Sequence, residues 1–389
     1  MNQEPWQRYV QLIQELISCP AGEEATLLEQ QHDWVNEELL ENIGQVAENA
    51  ASSGRAKLAA KLQELGALVE QFIATRGQKS PPNLESYQRL VRKLLQLEYD
   101  SDSDTSVIYP FLAQHQNKLN PTFQQAFLEV SRQLLSDPKI GDTMARVIGN
   151  TCIHIQNFPL GSRADCLEIA IAGYQLVLTV WHREHNPEQW AQTQNNLANA
   201  YLYRIREERA ENLEQAISAY EAVLEVYSRT AYPEDWAMTQ NNLGNAYLYR
   251  IRGERAENLE KAISASEAAL EVYSRTAYPE KRATTQNNLG NGYLYRIRGE
   301  KAENLEKAIS AYKMALEVRT RTAYPEQWAT TQNNLGNAYQ TRIRGERAEN
   351  LEDAISAYEA ALEVYTRTAY PELWATTQNN LAIAYSDRI

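Results

Sequence analysis

Cysteine is scarce. The three present, Cys19, Cys152 and Cys166, are odd in number and irregularly spaced, so no disulfide framework is expected and a reducing, cytoplasmic setting fits. Histidine is almost as rare. His32, His115, His154, His182 and His185 form no His-Glu-x-x-His. Cys152, His154 and Cys166 match no zinc spacing and read as interior residues of a worn repeat. A glycine-rich phosphate loop carrying Lys and Ser/Thr is missing too. Catalysis, metal and cofactor are therefore not expected. No apolar run reaches the ~18 residues of a membrane span, and the start, Met1 to Trp6, lacks the basic-then-apolar layout of a signal peptide. Basic residues are outnumbered 38 to 51, a net charge of −13. Such a chain repels phosphate backbones, so nucleic acid is not an expected partner.

What the chain does have is repetition. Thr-Gln-Asn-Asn-Leu-Gly-Asn-Ala-Tyr at 239–247 returns almost unchanged at 285–293 and 331–339, and more loosely at 193–201 and 377–385. Pro187, Pro233, Pro279, Pro325 and Pro371 recur every 46 residues. A strict period of this length predicts a stacked array, in which each unit buries surface against its neighbours. Full units are read at 187–232, 233–278, 279–324 and 325–370. A degenerate copy precedes them at 139–186, and a half unit, 371–389, follows.

Residues 1–138 read as a separate helical region. Apolar residues at helical spacing predict helices from Trp6 to Ile17, over 33–51 and over 55–75. Arg76-Gly77-Gln78-Lys79-Ser80-Pro81-Pro82 follows as a linker near 76–83. Further helices are expected at 84–97, 107–116 and 122–135. Between the first two of these, Asp100-Ser101-Asp102-Ser103-Asp104 imitates the start of a calcium loop. That motif requires Gly at its sixth position and Glu at its twelfth, where this chain has Thr105 and Phe111. An acidic, solvated turn is expected there.

Within a unit, two helices are predicted. Pro233 suits a first helical position, and Glu234 and Asp235 face the positive end of the helix dipole. Trp236, Gln240, Leu243, Gly244 and Tyr247 share one side at about 100° per residue. The Gly244 column holds only Ala198, Gly290, Gly336 and Ala382 besides, which predicts a close helix approach. Gly253 is expected to stop the first helix and Asn258 to cap the second. The second helix should bury Leu259, Ala262, Ile263, Ala269, Leu270 and Tyr273.

Gln240-x2-Leu243-Gly244-x2-Tyr247, with Ala262, Ala269 and Pro279, resembles the tetratricopeptide repeat. Tyr220, Tyr312 and Tyr358 supply the aromatic that follows the alanine, and Ser266 is the exception. Trp190, Trp236, Trp328 and Trp374 lie one turn before the usual tryptophan position, and Arg282 departs. The Asn-Asn-Leu core in a lengthened unit is similar to kinesin light chain repeats. The longer signature, with Arg-Ile-Arg-Gly-Glu-Arg-Ala-Glu-Asn-Leu-Glu, resembles cyanobacterial arrays that precede a caspase-like CHAT peptidase domain. The resemblance implies an all-α protein: a helical N-terminal region, then a right-handed tetratricopeptide-type α-solenoid. It implies a non-catalytic scaffold that binds a peptide or protein on its concave face. The alternative it implies is the sensor arm of a CHAT protease whose catalytic domain lies outside this chain.

Opposite the packing side lie the candidate groove residues. They are Asn195, Asn241, Asn287 and Asn333; Asn196, Asn242, Asn288, Asn334 and Asn380; Asn199, Asn245, Asn291 and Asn337; Tyr203, Tyr249 and Tyr295; and Met238. An asparagine in a helix is worse than alanine by roughly half a kcal/mol, so something should offset so many. Their amides match a peptide group in donor and acceptor. They either hold a peptide backbone or bond between helices. The column directly before the leucine matches the asparagine ladder of the O-linked N-acetylglucosamine transferase repeats, which implies the first role for it. Arg204, Arg250, Arg296 and Arg342, with Arg206, Arg252, Arg298 and Arg344, read as a solvated salt-bridge rim beside Glu208, Glu254, Glu300 and Glu346 rather than as a carboxylate clamp. Finally, 371–389 is a first helix without a partner. Trp374, Leu381 and Tyr385 should lie uncovered up to Ile389, so the array is expected to be cut short and to self-associate end to end.

Overall fold

The computed structural model describes residues 5–20, 23–31, 34–35, 37–77 and 84–388, with the side chains of 5–7, 37, 38, 41 and 73–77 set aside. Residues 78–83 of the expected linker and Ile389 lie outside the described residues. The described residues form eighteen α-helices and no strand, in two compact units, 1–86 and 87–389. No described helix is long and apolar enough to cross a membrane.

The first unit contains α1 (Pro5–Ser18), α2 (Glu24–Gln30), α3 (Glu37–Ser52) and α4 (Ala56–Gly77). Leu12, Leu16, Leu28, Leu39, Ile43, Leu62 and Val69 make its core. Helix α2 buries only Leu28 and has seven residues, too few to show a helical period in the sequence.

The second unit opens with α5 (Leu84–Ser101), α6 (Thr105–Gln114), a 3-10 turn at Gln116–Lys118, and α7 (Pro121–Leu135). The sequence reading places a boundary at 138. In the structure α7 packs onto the first helix pair of the array, α8 (Gly141–Asn157) and α9 (Arg163–Val177). Phe127 lies within 3.0 Å of where a Cβ on Gly173 would stand. The acidic turn is shorter than expected, since Asp100 and Ser101 still belong to α5. Asp104 caps α6 by accepting from the Ser106 N–H at 2.8 Å.

Each 46-residue unit is then one helix pair. These are α10 (Pro187–Leu202) with α11 (Arg209–Leu224), α12 (Pro233–Tyr249) with α13 (Arg255–Leu270), α14 (Pro279–Tyr295) with α15 (Lys301–Leu316), and α16 (Pro325–Thr341) with α17 (Arg347–Leu362). Helix α18 (Pro371–Arg388) follows. Proline opens all five first helices, where its missing N–H is no loss. The glycine column does bring helices close. A Cβ on Gly290 would sit 2.5 Å from Tyr312, and one on Gly336 2.6 Å from Tyr358.

The connection between the helices corrects two expectations. The first helix of the second unit ends at Tyr249, before Gly253, which serves instead as a left-handed turn residue at φ +78°. Asn258 is no N-cap, because α13 starts at Arg255 with Glu254 in the cap position. Asn258 is buried inside the first turn. It donates to the Arg252 carbonyl at 2.9 Å and accepts from Arg250 Nη1 at 3.4 Å. It therefore fastens the connection and leaves the helix end alone. Asn212, Asn304 and Asn350 repeat the bond.

Units are joined by a charge clasp. Arg250 Nε and Nη2 donate to the two oxygens of Glu214, 36 residues earlier, at 2.8 and 2.7 Å. The same pairing links Arg204 to Glu168, Arg296 to Glu260 and Arg342 to Glu306. Arg388 reaches Glu352 at 2.7 Å. The arginines thus do clasp carboxylates bidentately, but those of the preceding unit's second helix. Glu208, Glu254, Glu300 and Glu346, the expected neighbours, are not the partners. Arg206 and Arg252 likewise reach back, to Asp165 and Glu211.

Helix α18 carries another correction. Leu381 and Ala384 are buried in the core that Ile355 and Tyr358 share, and Trp374 packs against Ala361 and Tyr365. Trp374 and Leu381 face the preceding unit and are largely covered, whereas Tyr385 stays exposed as expected. The apolar side chains left exposed on α18 are Leu373, Ile383 and Tyr385.

Candidate binding groove

The first helices line two cavities, of about 650 and 420 Å³, which meet at Tyr295. The larger reaches from Tyr203, just after α10, to Asn334 on α16. Tyr203, Tyr249 and Tyr295 stand 46 residues apart along it, 55, 53 and 54% exposed. Among the described residues none of the three side chains makes a hydrogen bond. Met238 is half-buried and is not in the cavity wall, although Thr330 of the same column is.

The three asparagine columns have different partners. The innermost is largely sequestered, with Asn195 and Asn287 only 3 and 7% exposed. Its oxygens accept from the next unit's second column. Asn288 donates to Asn241 at 3.1 Å, Asn334 to Asn287 at 3.4 Å, and Asn380 to Asn333 at 3.5 Å. Asn242 accepts from Asn241 at 3.4 Å. From Asn288 onward the second column is therefore an inter-unit ladder that still shows part of each amide to the groove. Asn196, at the same position of the first unit, is half-buried.

The third column rests on buried tyrosines of the second helices. Tyr220 donates to Asn199 at 2.7 Å, Tyr312 to Asn291 at 2.7 Å and Tyr358 to Asn337 at 2.8 Å. Burial pushes all three phenols above the ordinary tyrosine range, so each keeps its proton and donates. Asn245 has no such partner, because Ser266 stands where the tyrosine would.

The asparagine and tyrosine columns hold no basic residue, but the second helices bring basic residues to the groove. Arg209 and Arg255 line the larger cavity and Lys301 the smaller. Each arginine opens a second helix and donates one N–H to the end of the first helix, at the Leu202 and Leu248 carbonyls. The signal was present as the basic residue after each Glu at the end of the connection, but nothing local shows that a second-helix start borders the groove.

The family model of the tetratricopeptide repeat matches residues 190–226, 236–272 and 328–365. No curated protein matches the chain. Among solved structures, BtubC (BKLC) from P. vanneervenii is similar over 74% of this chain and 91% of its own, at 18% identity and a TM-score of 0.39. Cut9 and Hcn1, an APC/C hetero-tetramer, give 14% identity and a TM-score of 0.40, covering 100% of this chain and 65% of theirs. The P58(IPK) TPR domain gives 15% identity and a TM-score of 0.27 over 97% of this chain and 98% of that one. The helix pairs, their period and the matched segments agree: three of the four full 46-residue units match the tetratricopeptide repeat, and 279–324 shares their two-helix pattern in the same all-α array.

Proposed function

We propose that the array is a non-catalytic scaffold that binds an extended peptide segment of a protein partner along the first helices. The observation that carries this is the tyrosine row. Three large side chains, more than half exposed and free of bonds to the scaffold, recur at one position of a cavity of about 650 Å³. Stacking alone does not need them there. Around them the half-free amides of Asn288 and Asn334 offer donors and acceptors to a peptide backbone, and Arg209 and Arg255 add charge. Aromatic side chains with a polar tip are common anchors of binding energy.

The test is a random peptide library displayed against the whole chain and against Tyr203→Ala/Tyr249→Ala/Tyr295→Ala. The triple variant should melt within a few degrees of the native chain, because it removes no internal bond. It should lose at least tenfold in affinity for the peptides the native chain selects. Equal binding by both proteins would refute the reading.

A further inference from the structure

The second unit differs from its neighbours in one buried place. In units one, three and four a tyrosine of the second helix fills the space beneath the groove and donates to the third asparagine column at 2.7–2.8 Å. In the second unit this residue is Ser266. Its hydroxyl turns back to the Ala262 carbonyl at 2.9 Å and does not reach the groove. The Asn245 side chain is left, among the described residues, with no hydrogen bond, while it lines the cavity of about 650 Å³.

From this contrast we infer that unit two is the anchor subsite of the array, with Asn245 holding a neutral hydrogen-bond donor of the ligand, a peptide N–H or a side-chain carboxamide. The argument is one of inventory. The cavity wall is rich in donors: Arg209 and Arg255 and the hydroxyls of Tyr249 and Tyr295, while the Asn288 amide already donates to Asn241. The Asn291 acceptor, on the same wall, is already engaged by Tyr312. The Asn245 carbonyl oxygen is an uncommitted acceptor among these donors. Within the third column, a ligand group that donates therefore finds a free acceptor at Asn245 and not at Asn291 one unit further along, which favours one register of an extended segment on an otherwise repeating surface. The inference rests on the groove reading above and adds the position and the chemistry.

Two substitutions test it on the full chain, with the library-selected peptides as probe. Ser266→Tyr rebuilds the arrangement of the other units, so Asn245 becomes engaged from below. Melting should rise or hold, and affinity should fall at least tenfold. Asn245→Ala removes an amide that bonds nothing inside the chain, so melting should hold while affinity falls by a similar factor. Asn291→Ala is the control. It strips the buried Tyr312 hydroxyl of its acceptor and should lower melting, with a smaller effect on affinity. Full binding by both Ser266→Tyr and Asn245→Ala would overturn the subsite. If the tyrosine-row triple variant still loses binding in that case, the groove reading survives and only this inference fails. A fall in melting on Asn245→Ala as large as on Asn291→Ala would also overturn it, since Asn245 would then be structural.

Discussion

Replacing Arg319 by tyrosine should make the array more stable. The position belongs to a column whose other members are Tyr227, Tyr273 and Tyr365, all buried. Each of those rings sits 5.1–5.5 Å from the next tyrosine along the chain, Tyr232, Tyr278 and Tyr370. Arg319 is 6% exposed and forms no ion pair among the described residues. Its Nη groups donate to Thr331 at 3.0 Å and Thr284 at 2.9 Å, while Nε is buried without a partner. Burial pulls the guanidinium below its ordinary pKa, with the charge of Glu280 opposing. Removing a buried charge relieves a penalty of several kcal/mol, roughly matched by the two charged hydrogen bonds lost with it. What remains is the orphaned Nε, about 1–3 kcal/mol, and an aromatic pair with Tyr324, about 1 kcal/mol. Thr331 keeps its bond to the Gln327 carbonyl. Thr284 can take the tyrosine hydroxyl, as Thr330 takes that of Tyr365 at 2.6 Å. The expected gain is therefore about 3 kcal/mol, or roughly 6–12 °C in melting temperature for an array of this size. Hydrogen exchange should show the added protection concentrated in α14, α15 and α16, since each repeat couples mainly to its neighbours. Arg319→Met, which keeps an apolar stem and removes the charge, should not fall below the native chain. If both variants are less stable than the native protein, the guanidinium contributes more than its burial costs and the reasoning is wrong.

Glu207 occupies the left-handed turn position at φ +63°, where the later units have Gly253, Gly299 and Gly345. Glu207→Gly should stabilise by about 0.5–1 kcal/mol, and Gly299→Ala should destabilise by a similar amount, both read from melting curves; a loss on Glu207→Gly would refute this. Glu214, Glu260 and Glu306 are held below the ordinary carboxylate value of 4.5 by their arginine partners, against the opposing effect of burial. A lowered carboxylate contributes fully above that value and loses its contribution as pH falls below it. Melting temperature should therefore drop from about pH 4.5 downward, and Glu260→Gln should flatten part of that slope. An unchanged slope in the variant would show that the clasp does not drive the acid response.

Much of the array was readable because it is local and periodic. The 46-residue spacing, the proline starts and the glycine column each follow from one helix and its nearest neighbour, and each appears where expected. Partners across a joint were harder to read. Arg250 has Glu254 four residues ahead, yet it bonds Glu214, and only the stacking of whole units brings those two together. Asn258 illustrates the same limit at shorter range. Its type suits a cap, but burial against the folded connection gives it the Arg252 carbonyl instead. In the groove, the sequence sets apart only the asparagine directly before the leucine, and that by resemblance. The separation of the three columns into an inter-unit ladder and a tyrosine-backed column depends on side chains from other helices. Ser266 was visible as a departure, but its effect on Asn245 was not.

The clasp has a consequence for how such a chain changes length. Every joint from α9 to α18 uses the same pair, a glutamate and the arginine 36 residues after it. Any unit's trailing edge thus fits any other unit's leading edge. An in-frame duplication or deletion of 46 residues would recreate a joint the protein already contains, with no orphaned charge and no new interface to evolve. Copy number then becomes an inheritable dial on groove length, turned by recombination between near-identical stretches of gene rather than by point substitution.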